Sequence, residues 1–214
     1  MKIAMIGQKR IPSREGGVEV VVEELATRMV ALGHDVTCFN RKGHHVAGKE
    51  FDYDESMDTY KGVKLKSVFT IDKKGLAAMT SSFIAALKVA FGKYDVIHFH
   101  AEGPCAMLWI PKLFGKQCVA TIHGLDWQRS KWGGFATKYI KFGEKVAVKH
   151  ADEIIVLSKN VQKYFTDTYH RETVFIPNGV NKPEIREAKE ITEKFKLKKD
   201  SYILYLGRLV PEKG

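Results

Sequence analysis

The sequence predicts an α/β fold, an open, doubly wound parallel sheet covered by helices on both faces, and three observations carry that prediction. Short apolar runs closed by glycine or polar residues recur along the chain. Helical patterns stand between them, and the two kinds of segment alternate with little ambiguity as far as Ile176. Crossovers in such a sheet are right-handed, and ligands bind at the carboxyl ends of the strands.

Residues 2–7, Lys-Ile-Ala-Met-Ile-Gly, form an apolar run of the type buried on both faces of a parallel sheet. A polar loop and Gly16-Gly17 follow. Val18, Val21, Val22, Leu25, Met29 and Leu32 then fall on one helical face, with Glu19, Glu23 and Glu24 early and Gly33 at the stop. Residues 35–40 read as the second strand, and 41–60, rich in His, Gly and Asp, as a long loop or hairpin. A strand is predicted at 63–69 and a helix at 76–91, with Phe83, Ile84, Leu87 and Phe91 on one face. Next come a strand at 94–99, a short apolar helix at 105–114, a strand at 117–122 and a helix at 136–148. The series ends with a strand at 153–157, a helix at 159–169 and a strand at 173–176. Pro177-Asn178-Gly179-Val180 is a turn leading out of this Rossmann-like domain, assigned to residues 1–180. Residues 181–214 read as a linker helix at 184–197 and a buried-type strand at 202–206, the first strand of a second sheet. The chain is therefore expected to be truncated at the start of a second domain.

A chain of 214 residues with 44% hydrophobic content suffices for one large domain and its core. A formal charge of +10 favours anionic partners, which on charge alone include nucleic acid, anionic membrane and phosphorylated substrates. Cys38, Cys105 and Cys118 are odd in number and lie in or beside apolar runs, so buried free thiols in a reducing compartment are expected. No apolar run approaches the ~18 residues of a membrane span, and the chain opens on a strand rather than a signal peptide. A cytoplasmic location is the expectation.

The strand-end rule selects the polar residues that ring one crevice: the loop after Gly7, His98 and His100, His123 with Asp126, and Ser158. Gly16 and Gly17 sit at a helix N-terminus, where backbone N–H groups and the helix dipole favour an anion such as phosphate. The same pair also serves as a simple turn. Lys9, Arg10 and Arg14 in this loop could meet anionic ligand groups or be solvated surface. Eight non-glycine residues separate Gly7 from Gly16, so the G-x-G-x-x-G dinucleotide fingerprint is missing and no nicotinamide or flavin cofactor is expected. His98, His100 and His123 could form a three-histidine metal site, but no carboxylate or cysteine stands at ligand spacing, and no metal is predicted. His123 reads as a hydrogen-bonding or proton-handling group in the crevice, with a satisfied, partly buried histidine as the alternative.

Four segments carry a resemblance. Gly207-Arg208-Leu209-Val210-Pro211-Glu212-Lys213-Gly214 looks like the G-R-L-x-x-x-K-G segment opening the second domain of retaining glycosyltransferases of family four, which have the two-domain GT-B architecture. Pro177-Asn178-Gly179-Val180 resembles the P-N-G-V linker of that family, Gly16-Gly17 with Glu19 its first glycine loop, and Thr121-Ile122-His123-Gly124 its T-x-H segment. Their order and spacing span the chain. The loop with Arg10, Pro12 and Gly16-Gly17-Val18-Glu19 is similar to enzymes of bacterial surface polysaccharide synthesis, including rhamnosyl-type transferases.

The resemblance implies transfer of a sugar from a nucleotide-diphosphate donor (UDP-, GDP- or dTDP-sugar) to a hydroxyl of a saccharide or lipid-linked acceptor, with retention. It implies that His123 is catalytic, hydrogen-bonding the sugar and stabilising charge at the anomeric carbon. Gly16 and Gly17 would present N–H groups to the donor, while Arg208 and Lys213 would clamp the diphosphate in place of a metal. Arg10, Arg14, His100, Asp126 and Trp127 are the acceptor-side candidates. No cofactor and no nucleic-acid partner are implied. Most donor contacts of the family lie in its second domain, so the 214-residue chain alone is expected to be inactive. The alternatives are a non-catalytic saccharide-binding module and a nucleotide-cofactor oxidoreductase.

Two partner surfaces are also expected. Lys138, Lys141, Lys145 and Lys149, opposed by Tyr139, Phe142 and Val146, form a stripe that with Lys131, Trp127 and Trp132 could face anionic membrane at the inner surface of the cytoplasmic membrane. The apolar residues 202–206 could pair with the same segment of a second chain.

Overall fold

The apolar runs of the sequence assemble into one sheet. The computed structural model describes residues 1–13, 16–43, 57–71, 73, 75–128, 133–185 and 187–205. Among them the strands are β1 (Lys2–Ile6), β2 (Asp35–Arg41), β3 (Thr59–Tyr60), β4 (Val63–Val68), β5 (Val96–His100), β6 (Gln117–Ile122), β7 (Glu153–Val156) and β8 (Val174–Phe175). Their order is β3-β4-β2-β1-β5-β6-β7-β8, with every neighbouring pair parallel except β3–β4. The expected doubly wound fold is present. Connections run outward from β1 in both directions, so the order reverses between β1 and β5, and the loops leaving these two strands flank a crevice.

The helices are α1 (Gly17–Ala31), α2 (Leu76–Ala90), α3 (Glu102–Cys105), α4 (Trp109–Leu113), α5 (Gly134–His150), α6 (Lys159–Tyr169) and α7 (Lys189–Phe195). Alternation along β1 divides the core between the two faces. Ile3 and Met5 pack with Val22 and Ala26 of α1, whereas Ala4 and Ile6 join Phe99, Ile122, Ala86, Val89, Val146 and Phe165 on the other face. Full burial of side chains such as Phe99, Ile122 and Phe165 contributes about 1.5–3 kcal/mol each.

Several expectations change. The predicted loop at 41–60 ends in β3, which makes a hairpin with β4 through Lys61 and Gly62, both at positive φ; residues 44–56 lie outside the described residues. In α2 the buried face is Ser81, Ser82, Ala85, Ala86, Val89 and Ala90, while Phe83 and Phe91 are exposed. Small side chains let this helix approach the sheet closely; of the bulky residues expected on its buried face, Ile84 and Leu87 pack against the core while Phe83 and Phe91 turn outward. The helix predicted at 105–114 is two short helices, because the chain turns after Cys105 through Ala106–Leu108 backbone bonds to Gly103, Pro104 and Cys105. Phe142, expected opposite the lysine stripe of α5, is half exposed. All three cysteines are free and buried, and burial pushes the Cys118 thiol up to about 12.

Contacts divide the chain into two units, Met1–Asn178 and Gly179–Gly214. In the second, α7 is shorter than the helix predicted at 184–197. The predicted strand at 202–206 is corrected: Tyr202–Tyr205 is not in a strand, and Ile203 is fully exposed. Among the described residues of this unit no strand lies beside it to take its backbone hydrogen bonds, so the apolar sequence alone does not make a ladder. Leu206 lies outside the described residues, as do Arg14, Arg208, Lys213, Lys131 and Trp132.

Candidate active site at the switch point

The loop leaving β1 is lashed to the end of β2. Gly7 adopts φ +124°, and a Cβ there would lie 2.1 Å from the carbonyl oxygen of His100, so only glycine lets this loop cross the end of β5. Gln8 Nε2 donates to Phe39 O (3.2 Å), and Asn40 brackets Ile11, accepting from its N–H (3.1 Å) and donating to its carbonyl (2.9 Å). From below, Glu19 accepts the Lys9 N–H (3.0 Å), while Glu23 accepts the Ser13 N–H (3.3 Å) and the Tyr60 hydroxyl (3.1 Å). The sequence marks Glu19 and Glu23 as acids early in this helix, with Glu19 also part of the glycine-loop resemblance; in the structure both are buried acceptors that shape the loop. Their signal is an i, i+4 acidic pair within a run of valines. Arg10 is buried at 4% exposure, which removes the surface reading of its side chain.

At the loop's end, Gly16 is the N-cap of α1 in extended conformation (φ −153°, ψ 159°), with no side-chain cap on the helix, and Gly17 is exposed with open space around its Cα. The first N–H groups of α1 are thus not taken by a capping side chain.

Three imidazoles form a stack beside this loop. His98 and His100 alternate onto one face of β5 with ring centroids 4.2 Å apart, and His100 lies 5.4 Å from His123, just past β6. His98 Nε2 bonds Thr121 Oγ1 (2.7 Å), and His100 Nδ1 bonds His123 Nε2 (3.2 Å). Burial, with the neighbouring His123, lowers His98 to about 4; burial and both neighbours hold His100 well below the usual imidazole range. Both inner rings are therefore neutral at pH 7. The bond from His100 commits His123 Nε2 and restrains its ring. His100, expected as an acceptor contact, is fully buried, whereas His123 is partly exposed. Among the described residues no group of three His, Cys, Asp or Glu is arranged to hold a metal.

Between His100 and these groups stands Ala101 at φ 72°, ψ 155°, a backbone region nearly restricted to glycine. Its N–H donates to Thr121 O (2.9 Å). Asp126 and Trp127 lie on a 3-10 turn, Asp126–Gln128, and both are partly buried. Asp126 N–H donates to Glu102 Oε2 (2.8 Å), Trp127 Nε1 donates to Glu144 Oε2 (3.1 Å), and Lys141 Nζ sits 4.1 Å from the Trp127 ring centroid. Sequence reasoning misses Glu102 and Glu144. Glu144 had a signal, an acid on the apolar face marked by Ile140 and Ala147. Ser158 caps α6, accepting the Val161 N–H, and has a structural role.

These features define a Rossmann-like α/β domain that carries three imidazoles at the ends of β5 and β6 and a helix N-terminus without a side-chain cap after β1. The Glycosyltransferase Family 4 profile matches residues 15–182, and the chain belongs to that family. It is 30% identical over 128 residues to an uncharacterised glycosyltransferase, YqgM, of Bacillus subtilis, covering 57% of this chain and 33% of that protein. It is 26% identical over 221 aligned positions to D-inositol 3-phosphate glycosyltransferase of Thermobispora bispora, covering 93% of this chain and 50% of that one. Among solved structures, sucrose-phosphate synthase of Thermosynechococcus elongatus superposes with a TM-score of 0.67 at 18% identity, covering 93% of this chain and 53% of that chain. Anabaena Alr3699/HepE, solved with UDP and glucose, gives a TM-score of 0.55 at 14% identity, with 84% and 45% covered. The chain spans a third to a half of the length of these curated relatives.

Proposed function

We propose that the chain is the acceptor-side domain (residues 1–180) of a retaining glycosyltransferase that moves a sugar from a nucleotide-diphosphate donor to a hydroxyl acceptor in bacterial surface polysaccharide or glycoconjugate synthesis. The observation that carries this reading is His123, held by neutral His100 at the switch point. In this reading His123 hydrogen-bonds the sugar and stabilises charge developing at the anomeric carbon, while Gly16 and Gly17 offer backbone N–H groups to the donor. Asp126 and Trp127 border the acceptor, and Arg10 supports the loop from within. Arg208 and Lys213 belong to a second domain, where they neutralise the leaving diphosphate. A nucleotide sugar as donor agrees with the UDP and glucose held by the Anabaena relative.

The test is product formation by the protein joined to its donor-binding half, followed by mass spectrometry across UDP-, GDP- and dTDP-sugars. His123→Ala is expected to lower turnover ~10²-fold or more, the scale for losing one group that stabilises developing charge. A loss below ~3-fold returns His123 to structure. Tight saccharide binding without transfer favours a binding module instead.

An anionic membrane surface is the partner proposed for α5. Lys138, Lys141, Lys145 and Lys149 are all exposed, and Phe135 and Phe142, 76% and 50% exposed, stand among them. Cationic and aromatic side chains together on one helix face suit the headgroup region, where a lipid-linked acceptor would be met. Among the described residues no helix is long and apolar enough to cross a membrane. Sedimentation with liposomes is expected to require anionic lipid and to weaken when the four lysines become glutamine; binding unchanged by those substitutions removes the proposal.

A further inference from the structure

A second buried polar cluster lies where α3, α5, α6 and the Asp126–Gln128 turn meet. Glu102 and Glu144 are both fully buried, and α5 approaches α3 so closely that a Cβ on Gly143 would lie 2.0 Å from the Glu102 carbonyl oxygen. Glu144 collects three donors: Trp127 Nε1–H at Oε2 (3.1 Å), and the hydroxyls of Tyr164 (2.9 Å) and Tyr169 at Oε1. Both Glu144 oxygens are thus used as acceptors. Glu102 is placed differently. Its Oε2 accepts the Asp126 N–H, but its Oε1 is enclosed and accepts from no donor.

An ionised Glu102 would put a second buried charge beside Glu144 with one oxygen unsolvated, an arrangement that proteins avoid by retaining a proton. We propose that Glu102 is an un-ionised carboxylic acid donating a hydrogen bond from Oε1 to Glu144, and that this acid–carboxylate pair is a positioning unit for the turn carrying Asp126 and Trp127 beside His123. One proton then satisfies both Glu102 Oε1 and Glu144, and three helices are joined to the turn without adding a charge. Burial, the hydrogen bond to Glu144 and the charges of Glu144 and Asp126 together push Glu102 up to about 10, opposed by the Asp126 amide. The titratable groups around the pair are Asp126 on the turn, Tyr164 and Tyr169 on α6, Cys105 on α3 and Tyr139 on α5, the last pushed up to about 12 by burial and Cys105. Lys141 is engaged over the Trp127 ring.

The consequence for catalysis rests on the transferase reading: a turn held by a neutral acid presents one less negative charge to an incoming diphosphate sugar. The pair itself is tested without transfer. In infrared spectra of the 214-residue chain in D₂O at neutral pD, the carbonyl stretch of an un-ionised carboxyl is expected in the wild type and absent in Glu102→Gln. Hydrogen exchange at the Asp126 amide is expected to stay protected in Glu102→Gln, whose amide can still accept from Asp126 and donate to Glu144. In Glu102→Ala that protection should fall by roughly 10-fold or more, the loss of one buried hydrogen bond. Should Glu102→Ala not fold, Glu102→Asp, one methylene too short to reach both partners, gives the same readout. A wild type without the acid band, a band that survives Glu102→Gln, or full protection in the shortened variants overturns the proposal. Absence of sugar transfer by the protein joined to its donor-binding half, with band and protection intact, counts against the transferase reading alone.

Discussion

Ala101 is the residue at which the candidate site departs furthest from relaxed backbone. Its φ of 72° and ψ of 155° are imposed from both sides, by His100 in β5 and by the Glu102 contact with Asp126, while its own N–H is tied to Thr121 O. Such a conformation costs a non-glycine residue of order 1–3 kcal/mol, whereas the entropy lost on fixing a glycine there is about 0.5–1 kcal/mol. Ala101→Gly is therefore expected to stabilise the chain by about 1 kcal/mol in urea unfolding. Destabilisation would mean that the alanine methyl makes a packing contribution larger than the strain. A site that keeps strained backbone between its imidazoles and its buried acid is one in which the surrounding contacts dictate the geometry.

At the scale of elements, the α3–α5 contact depends on Gly143. Because the atom a Cβ would meet is main-chain, no side chain can swing aside, and Gly143→Ala is expected to cost about 1–3 kcal/mol or more in unfolding free energy. Gly134 on the same helix has open space around it, so Gly134→Ala should change stability by no more than a few tenths of a kcal/mol and serves as the control. Neither glycine is distinguishable in the sequence. β6 and α6 fall where apolar periodicity puts them, since a mostly buried strand and an amphipathic helix announce themselves locally, although sequence reasoning misses the capping role of Ser158. The packed face of α2 does not, because periodicity weighs bulk and this helix buries its alanines and serines. The position of His123 after a strand is legible, but the state of Glu102 is not: whether it is solvated or holds a proton depends on Glu144, 42 positions away, and on the approach that Gly143 allows.

For the whole molecule, the buried groups set a pH profile of stability. His98 and His100 are held neutral when folded, so their contribution is complete above the unfolded value near 6.5 and is lost as pH falls below it. Glu102 acts in the opposite sense. Its folded value is raised, so its contribution is complete below the unfolded value of 4.5 and is lost as pH rises toward about 10. Each fully differential proton changes stability by about 1.4 kcal/mol per pH unit, and two histidines outweigh one acid on the acidic side. Urea midpoints between pH 4.5 and 9.5 should therefore peak near ~6.5, and Glu102→Gln should flatten the alkaline limb; a midpoint still rising above pH 8 contradicts this assignment. The two ends of the sheet bear on a different property. β3 and β8 are two residues each, and β3 runs antiparallel to the strand it covers. Among the described residues the long central ladders thus terminate in strands too short to template an incoming chain, a form of protection against edge-to-edge aggregation for a protein whose apolar strands would otherwise be adhesive.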